Sequence, residues 1–320
     1  MTRFPQRFLA GSSASLLAAL ACSPALAQSA PASSPAQPVQ PAAAKPAPGE
    51  ETAPVPVFDP NKSWAVRIEP RVWYVAPEGD LKLPGSAPNV RSVELDTLNA
   101  DDPEASFEGE VMIRVPHDDD ATWRSDTFWK KGWFFRVGGA SFSGDADSTA
   151  PAGGFTIGSL TVAAGDDVST DVEWSTFHAL VGKWVAGTNF DTGGDVHVDL
   201  YAVAGVRVHS QDISVTSGGT TVGGSETFFA AVFGARLDIQ LPGDFAVDID
   251  VNANFWPGDQ SCAGFEISPT FTWRPTANLG VQVGYRLITA NCESGDENGS
   301  NFYKLNGSLA GVYAGIEIRF

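Results

Sequence analysis

The most regular pattern in the chain lies at its C-terminus. Ala310, Val312, Ala314, Ile316, Ile318 and Phe320 alternate with Gly311, Tyr313, Gly315, Glu317 and Arg319. That is a period of two, giving a β-strand one apolar and one mixed polar face. The alternation recurs upstream. Leu279, Val281, Val283, Tyr285 and Leu287 are one apolar set, and Phe265, Ile267, Pro269, Phe271 and Trp273 are another. Phe245 to Phe255 repeats it against Asp248, Asp250, Asn252 and Asn254, Phe229 to Leu241 against Gly234, Arg236, Asp238 and Gln240, and Val196 to Val208 against His197, Asp199, Tyr201, Arg207 and His209. Each of these six runs has about ten residues or more, enough to cross a hydrocarbon core when tilted.

Four further runs are expected nearer the N-terminus. Val66, Ile68, Pro70, Val72 and Tyr74 alternate with Arg67, Glu69, Arg71 and Trp73, and a shorter run sets Val111, Ile113 and Val115 against Glu110, Met112 and Arg114. Gly132 to Phe142 and Val172 to Val185 are strand-like. The faces of the latter stay open: either Phe177, Ala179 and Val181 or Trp174, Leu180 and Trp184 point outward, and a bulge would reconcile the two. Ten strands, an even number, let both ends lie on one side. With Phe320 on that side, Pro242–Asp244 and Thr276–Asn278 become short turns. The long connections near 77–104, 144–170 and 289–306 fall opposite. Residues 116–131, with Asp118, Asp119 and Asp120, are an exception: a long connection on the short-turn side.

Strand phase fixes two registers. Pairing Leu241 with Phe245 sets Asp238 opposite Asp248 and Arg236 opposite Asp250. Closing Thr276–Asn278 as a three-residue loop pairs Pro275 with Leu279, numbers that sum to 554. Cys262 and Cys292 have the same sum, so they face each other at a distance a disulfide accepts. Two free thiols at loop bases are the alternative.

Period two also fits a soluble β-sandwich, with the apolar faces buried against each other. The N-terminus and the aromatic residues near strand ends (Trp64, Phe245, Phe255, Trp273, Phe320) favour a membrane barrel. Val312, Ala314, Ile316 and Ile318 before the terminal Phe320 resemble the C-terminal signature of bacterial outer-membrane β-barrels, of the small outer-membrane protein or porin-like kind. The resemblance implies recognition by the outer-membrane insertion machinery and says nothing about activity. The expected fold class is all-β, a transmembrane antiparallel up-and-down β-barrel of ten strands over residues 61–320.

Arg3 and Arg7, an apolar run to Cys22 and Ala25-Leu26-Ala27 read as a signal peptide, residues 1–27. A lipid-modified Cys22 is the alternative. Residues 28–60, rich in Pro and Ala, read as a disordered periplasmic tether, with a Pro-rich binding segment as the alternative. Removing 1–27 lowers the net charge from −18 to −20, which excludes nucleic acid as a partner held by phosphate neutralisation. Outer-membrane lipid is the expected partner, the outer membrane of a Gram-negative-type bacterium the expected location, and no cofactor is expected.

The lumen-facing set carries both signs: Arg67, Glu69, Arg71, Glu110, Arg114, Asp199, Arg207, Arg236, Asp238, Asp248, Asp250, Glu266, Arg274, Arg286, Glu317 and Arg319. In a ten-stranded barrel, only a little wider than one that side chains just fill, these form a salt-bridged plug rather than a diffusion channel. A surface hydrolase is a further alternative. Asp238 with Asp248, and His197 with Asp199, resemble in residue type the acids and histidine of the omptin proteases, which are ten-stranded. They lie at the wrong end of their strands for that family. The four histidines have no metal-ligand spacing. No catalytic residue is assigned. The acidic loop residues, Glu78, Asp80, Glu94, Asp96, Asp101, Asp102, Glu104, Glu293, Asp296 and Glu297, read as solvated.

Overall fold

The computed structural model describes residues 65–87, 90–115, 124–191 and 195–320. The signal peptide, the tether, Trp64, His117 and the three aspartates at 118–120 lie outside the described residues. In chain order the strands are β1 (Val66–Lys82), β2 (Val93–Glu94), β3 (Glu104–Val115), β4 (Trp133–Thr149), β5 (Phe155–Ile157), β6 (Leu160–Val162), β7 (Asp167–Asp191), β8 (Asp195–Ser217), β9 (Thr220–Leu241), β10 (Phe245–Trp256), β11 (Gln260–Thr276), β12 (Leu279–Ser294) and β13 (Tyr303–Arg319). All but β2, β5 and β6 are long. These ten pair antiparallel with their sequence neighbours, and β13 closes on β1. Each expected run falls on one of them.

The register sets the barrel's dimensions. From Ile68 the paired residues run through Val111, Val137, Ala179, Val206, Ala231, Phe255, Ala263, Asn291 and Asn306 to Asp80. One circuit therefore returns to β1 twelve residues on, from 68 to 80. With strands ~4.8 Å apart and a rise of ~3.3 Å per residue, that stagger on ten strands gives a tilt of about 40° and a radius of about 10 Å. Each residue then gains about 2.5 Å of height.

The expected pairings Leu241–Phe245, Asp238–Asp248 and Arg236–Asp250 are present. So is Cys262 opposite Cys292, disulfide-bonded with a Cα separation of 4.1 Å. One step differs at the base of this hairpin. Thr276, not Pro275, pairs with Leu279 after a register shift beyond Trp273, so the turn is Ala277–Asn278 alone. The open choice on β7 is decided for Phe177, Ala179 and Val181 outward, while Trp174, Leu180 and Trp184 all face in. No bulge separates these three; the irregularity sits next to Trp184, at Val185.

The strands run further than the sequence pattern, so the three long connections are shorter than expected and Glu78, Asp80, Glu104 and Glu293 lie on strands. The reason is an inversion of polarity. On β8, Val196 to Val208 face out and His197 to His209 face in. From there Ser210, Asp212, Ser214 and Thr216 face out, while Ile213 and Val215 are buried inside. β4, β7, β12 and β13 change in the same way: Asp145, Glu173, Asn291 and Asn306 face out, and Phe142, Trp174, Ile288 and Leu305 face in.

Below this boundary the outer face is an apolar belt, from Phe245 to Phe255 on β10 and from Trp273 to Phe265 on β11. Ten residue steps on β10 make it about 25 Å tall, the height of a transmembrane barrel's band. Val283 and Ile316 lie on this face, 51% and 41% exposed, while Gln282 and Glu317 are fully buried in the lumen.

Above the boundary two strands drop out. β10 ends at Trp256, and β3 reaches β4 only as far as Phe107 opposite Ser141. What remains is β4-β7-β8-β9 on one side and β11-β12-β13-β1 on the other. They enclose one apolar core that includes Val75, Leu81, Phe142, Trp174, Ile213, Phe228, Leu305 and the disulfide. Leu83, Leu95 and Leu98 of the β1–β3 connection and Ile157 and Leu160 of the β5–β6 hairpin also bury into it. The upper part is thus a two-sheet head with an ordinary water-soluble polarity.

Candidate functional site

Among the described residues, chemistry concentrates in the lumen at belt level. All sixteen lumen residues named from sequence face it. Glu108 and Arg136 join them, both at least 96% buried. Among the described residues the interior charges then number nine arginines, at 67, 71, 114, 136, 207, 236, 274, 286 and 319, and nine carboxylates, at 69, 108, 110, 199, 238, 248, 250, 266 and 317. The formal charge balance is what a low-dielectric interior requires, since an unpaired buried ion is costly.

The ion pairs cross the lumen as well as running along its wall. Arg236 of β9 holds Asp238 at 2.5 Å and reaches Asp248 and Asp250 of β10, each at 2.9 Å. Arg136 of β4 meets the same Asp250 at 2.9 Å from another part of the wall. Arg71 bonds Glu69 at 2.7 Å and Glu108 at 2.8 Å, and Arg286 of β12 meets Glu108 at 2.7 Å and Glu266 at 2.6 Å. Glu266 also takes Arg207. Arg274 and Arg319 converge on Glu317, at 2.7 and 2.8 Å, and Arg67 bonds Glu69 at 3.1 Å. Gln282 donates to Glu69 at 2.6 Å and accepts from Arg71 at 3.1 Å. Arg114 is buried on the inner face of β3.

Aromatic rings form the ceiling of this network. Arg71 stacks on Tyr313 at 4.9 Å and Arg286 on Trp73 at 5.7 Å. Tyr313 lies against Gly284, where a Cβ would come within 2.4 Å of its ring. An apolar cluster of Met112, Phe134, Leu180, Trp184, Tyr201, Val203 and Val232 fills the β3, β4, β7, β8 and β9 side of the interior, and uncharged polar residues, Asn252, Ser268, Thr270 and Thr272, are buried beside the ion pairs. Phe134 and Tyr201 meet edge to face at 5.3 Å. Above the ceiling lies the head's core, where Tyr303, its phenol pushed up by burial, donates to Gln211 at 3.1 Å.

The groups that suggested acid–base chemistry are spoken for within this packing. Asp238 and Asp248 share Arg236, and Asp199 accepts from Trp184 Nε1 at 2.8 Å while its other oxygen is 3.1 Å from His197 Nε2. His178 lies 3.5 Å from Glu110, and His209 accepts from Trp174 at 3.4 Å. Among the described residues no three His, Cys, Asp or Glu side chains are grouped to hold a metal.

The sequence reading missed Glu108, Arg136 and His178. Glu108 continues the Glu110–Arg114 phase two residues back, and Arg136 stands between Phe135 and Val137, two outward apolar positions. Both signals were legible. His178 depended on the face of β7 that the pattern left open.

No known protein-family model matches the chain, and no curated protein matches it. Among solved structures it is similar to Ail, the attachment invasion locus protein of Yersinia pestis, solved with the heparin analogue sucrose octasulfate: 11% identity over 80% of this chain and 99% of that one, TM-score 0.30. It is similar to the P. putida toluene transporter TodX, 10% identical over 80% and 90% of the two chains, TM-score 0.26. A third is the outer-membrane expressed OmpT of Vibrio cholerae, 7% identical over 81% and 99%, TM-score 0.21. Likenesses at this level carry nothing about function. The barrel architecture, that of the class which the C-terminal strand resembles, rests on the chain's own strand pairing.

Proposed function

We propose that this chain is an integral outer-membrane protein whose barrel is a plugged anchor, bearing a folded head on the cell surface. Its role is structural or surface-directed rather than that of a conduit. The observation that carries the reading is the polarity inversion along single strands. An apolar belt with a charged lumen is stable in lipid, and a polar wall with an apolar core is stable in water. A soluble sandwich offers no reason for both in one strand. Phe107, Phe233 and Val312, 80%, 64% and 58% exposed, would be a large apolar patch in water and an ordinary lipid contact in a bilayer.

The short turns and both barrel ends lie together, so this end faces the periplasm, where the 28–60 tether follows removal of residues 1–27. The filled interior argues against a small-solute channel. Purified protein in planar bilayers is expected to give no stepwise conductance and, in liposomes, no swelling with small sugars. Regular conductance steps would instead support the channel. The hydrolase reading has no geometric support beyond its residue types.

The insertion signal Val312, Ala314, Ile316, Ile318 and Phe320 leads to a second expectation. Phe320 is 64% exposed at the foot of the barrel, with its backbone N–H donating to Val66 at 3.0 Å. Deleting it is expected to lower outer-membrane levels several-fold while the chain still reaches the periplasm. Unchanged levels in fractionated membranes would count against the signal.

A further inference from the structure

The gap that β10 leaves in the head exposes a strand edge. The β8–β9 hairpin turns through Gly218 and Gly219, both with positive φ, 57° and 78°. In a two-residue hairpin the flanking pair, here Ser217 and Thr220, exchanges backbone hydrogen bonds. Even-numbered residues of β9 therefore bond β8, and odd-numbered ones point their N–H and C=O away from it. From Ala231 downward these meet β10, starting with Ala231 opposite Phe255. Above it, among the described residues, Thr221, Gly223, Ser225, Thr227 and Phe229 pair with no strand on that side, although β11 comes within 8 Å of β9.

The matching gap above β3 is treated differently. There β2 pairs with β1, and Leu95 N–H donates to Gly79 at 2.9 Å, closing the opening with the chain itself. Exposed edges are ordinarily blunted by lysine, proline or a bulge. Residues 220–230 contain no lysine or proline, and their register with β8 is unbroken. At the floor of the gap stand Phe255 and Trp256, 58% and 47% exposed.

We propose that this edge of β9 is a docking strand, which an extended segment of an extracellular basic protein joins as an added strand. Only an extended backbone can satisfy a row of alternating donors and acceptors. The charge of the partner follows from the sheet it would join. Glu226 is the sole charge in 220–230, and on the outer face of the same sheet Asp145 stands directly opposite Asp171 and Glu173 opposite Asp212. Like charges set opposite one another disfavour the sheet unless cations approach. The proposal rests on the membrane reading only for the side from which the partner comes.

The test uses the full mature chain in nanodiscs and a labelled nine-residue peptide, Lys-Val-Thr-Val-Lys-Val-Thr-Val-Lys. Saturable binding by fluorescence anisotropy is expected. It should weaken about tenfold or more when the peptide is N-methylated at alternate residues, since each methyl removes a donor. Ser225→Pro in the protein should do the same, and peptide should slow hydrogen exchange at Thr221, Gly223, Ser225, Thr227 and Phe229. Three results would overturn the proposal: no saturable binding, binding indifferent to N-methylation, or those five amides already slow to exchange in the free protein. The last would mean that the chain itself or a second copy covers the edge. If Ser225→Pro does not fold, the N-methylated peptide on the unaltered protein decides alone. Failure of the barrel reading shows separately, as a chain that does not enter nanodiscs as folded β-structure.

Discussion

Replacing Arg236 by methionine is expected to destabilise the barrel by about 3–5 kcal/mol, the cost of leaving buried charge uncompensated. Arg236 is 2% exposed and contacts three carboxylates, Asp238, Asp248 and Asp250. Arg136 still serves Asp250 and Arg67 lies 3.4 Å from Asp248, but among the described residues Asp238 forms an ion pair with Arg236 alone. A second substitution, Asp248→Asn, removes one of the stranded charges and should recover part of the loss, since residues in one network do not add independently. The measurement is denaturant unfolding in lipid vesicles, followed by heat-sensitive gel mobility. A loss under about 1 kcal/mol would mean that water, not protein, solvates these charges. The lumen would then be wet, and the channel reading would regain ground.

Val283→Arg is expected to cost about 2–4 kcal/mol, as a cation placed near the bilayer midplane on the lipid face. Val283 sits in the middle of the outward set on β12, between Leu279 and Leu287. The informative partner is Asp212→Arg on β8, which is also outward but above the boundary, and is expected to change stability by about 0.5 kcal/mol or less. Both variants put an arginine on the outside of the same barrel, so their difference reads the solvent each position meets. Equal tolerance would remove the lipid belt and return the chain to a soluble β-protein.

The two registers came straight from strand phase because side chains alternate with period two and a slip of one residue would turn every apolar face inward. That is why strand phase alone sets Cys262 opposite Cys292, and Asp238 opposite Asp248. The single slip, Thr276 in place of Pro275, fell at a turn, where the burial pattern no longer constrains the pairing. The same logic explains what was lost above the boundary. Ser210, Asp212, Ser214 and Thr216 are as regularly alternating as Val196 to Val208, but with apolar and polar faces exchanged. Periodicity reports that a strand has two faces and not which face looks inward, so runs of Ser, Thr, Gly and Asp outside an apolar phase look like loop.

Sequence by itself determined the ten strands of the belt, sixteen of their inward charges, the disulfide and the up-and-down order, all consequences of local alternation and short turns. Only the tertiary structure decided that the lumen charges of the described residues balance nine against nine and that the strands rise past the belt. It alone showed that β10 stops short while β9 continues to Thr220. These depend on which residues meet across a barrel of about 10 Å radius, a closure condition on stagger and strand number that no single strand carries.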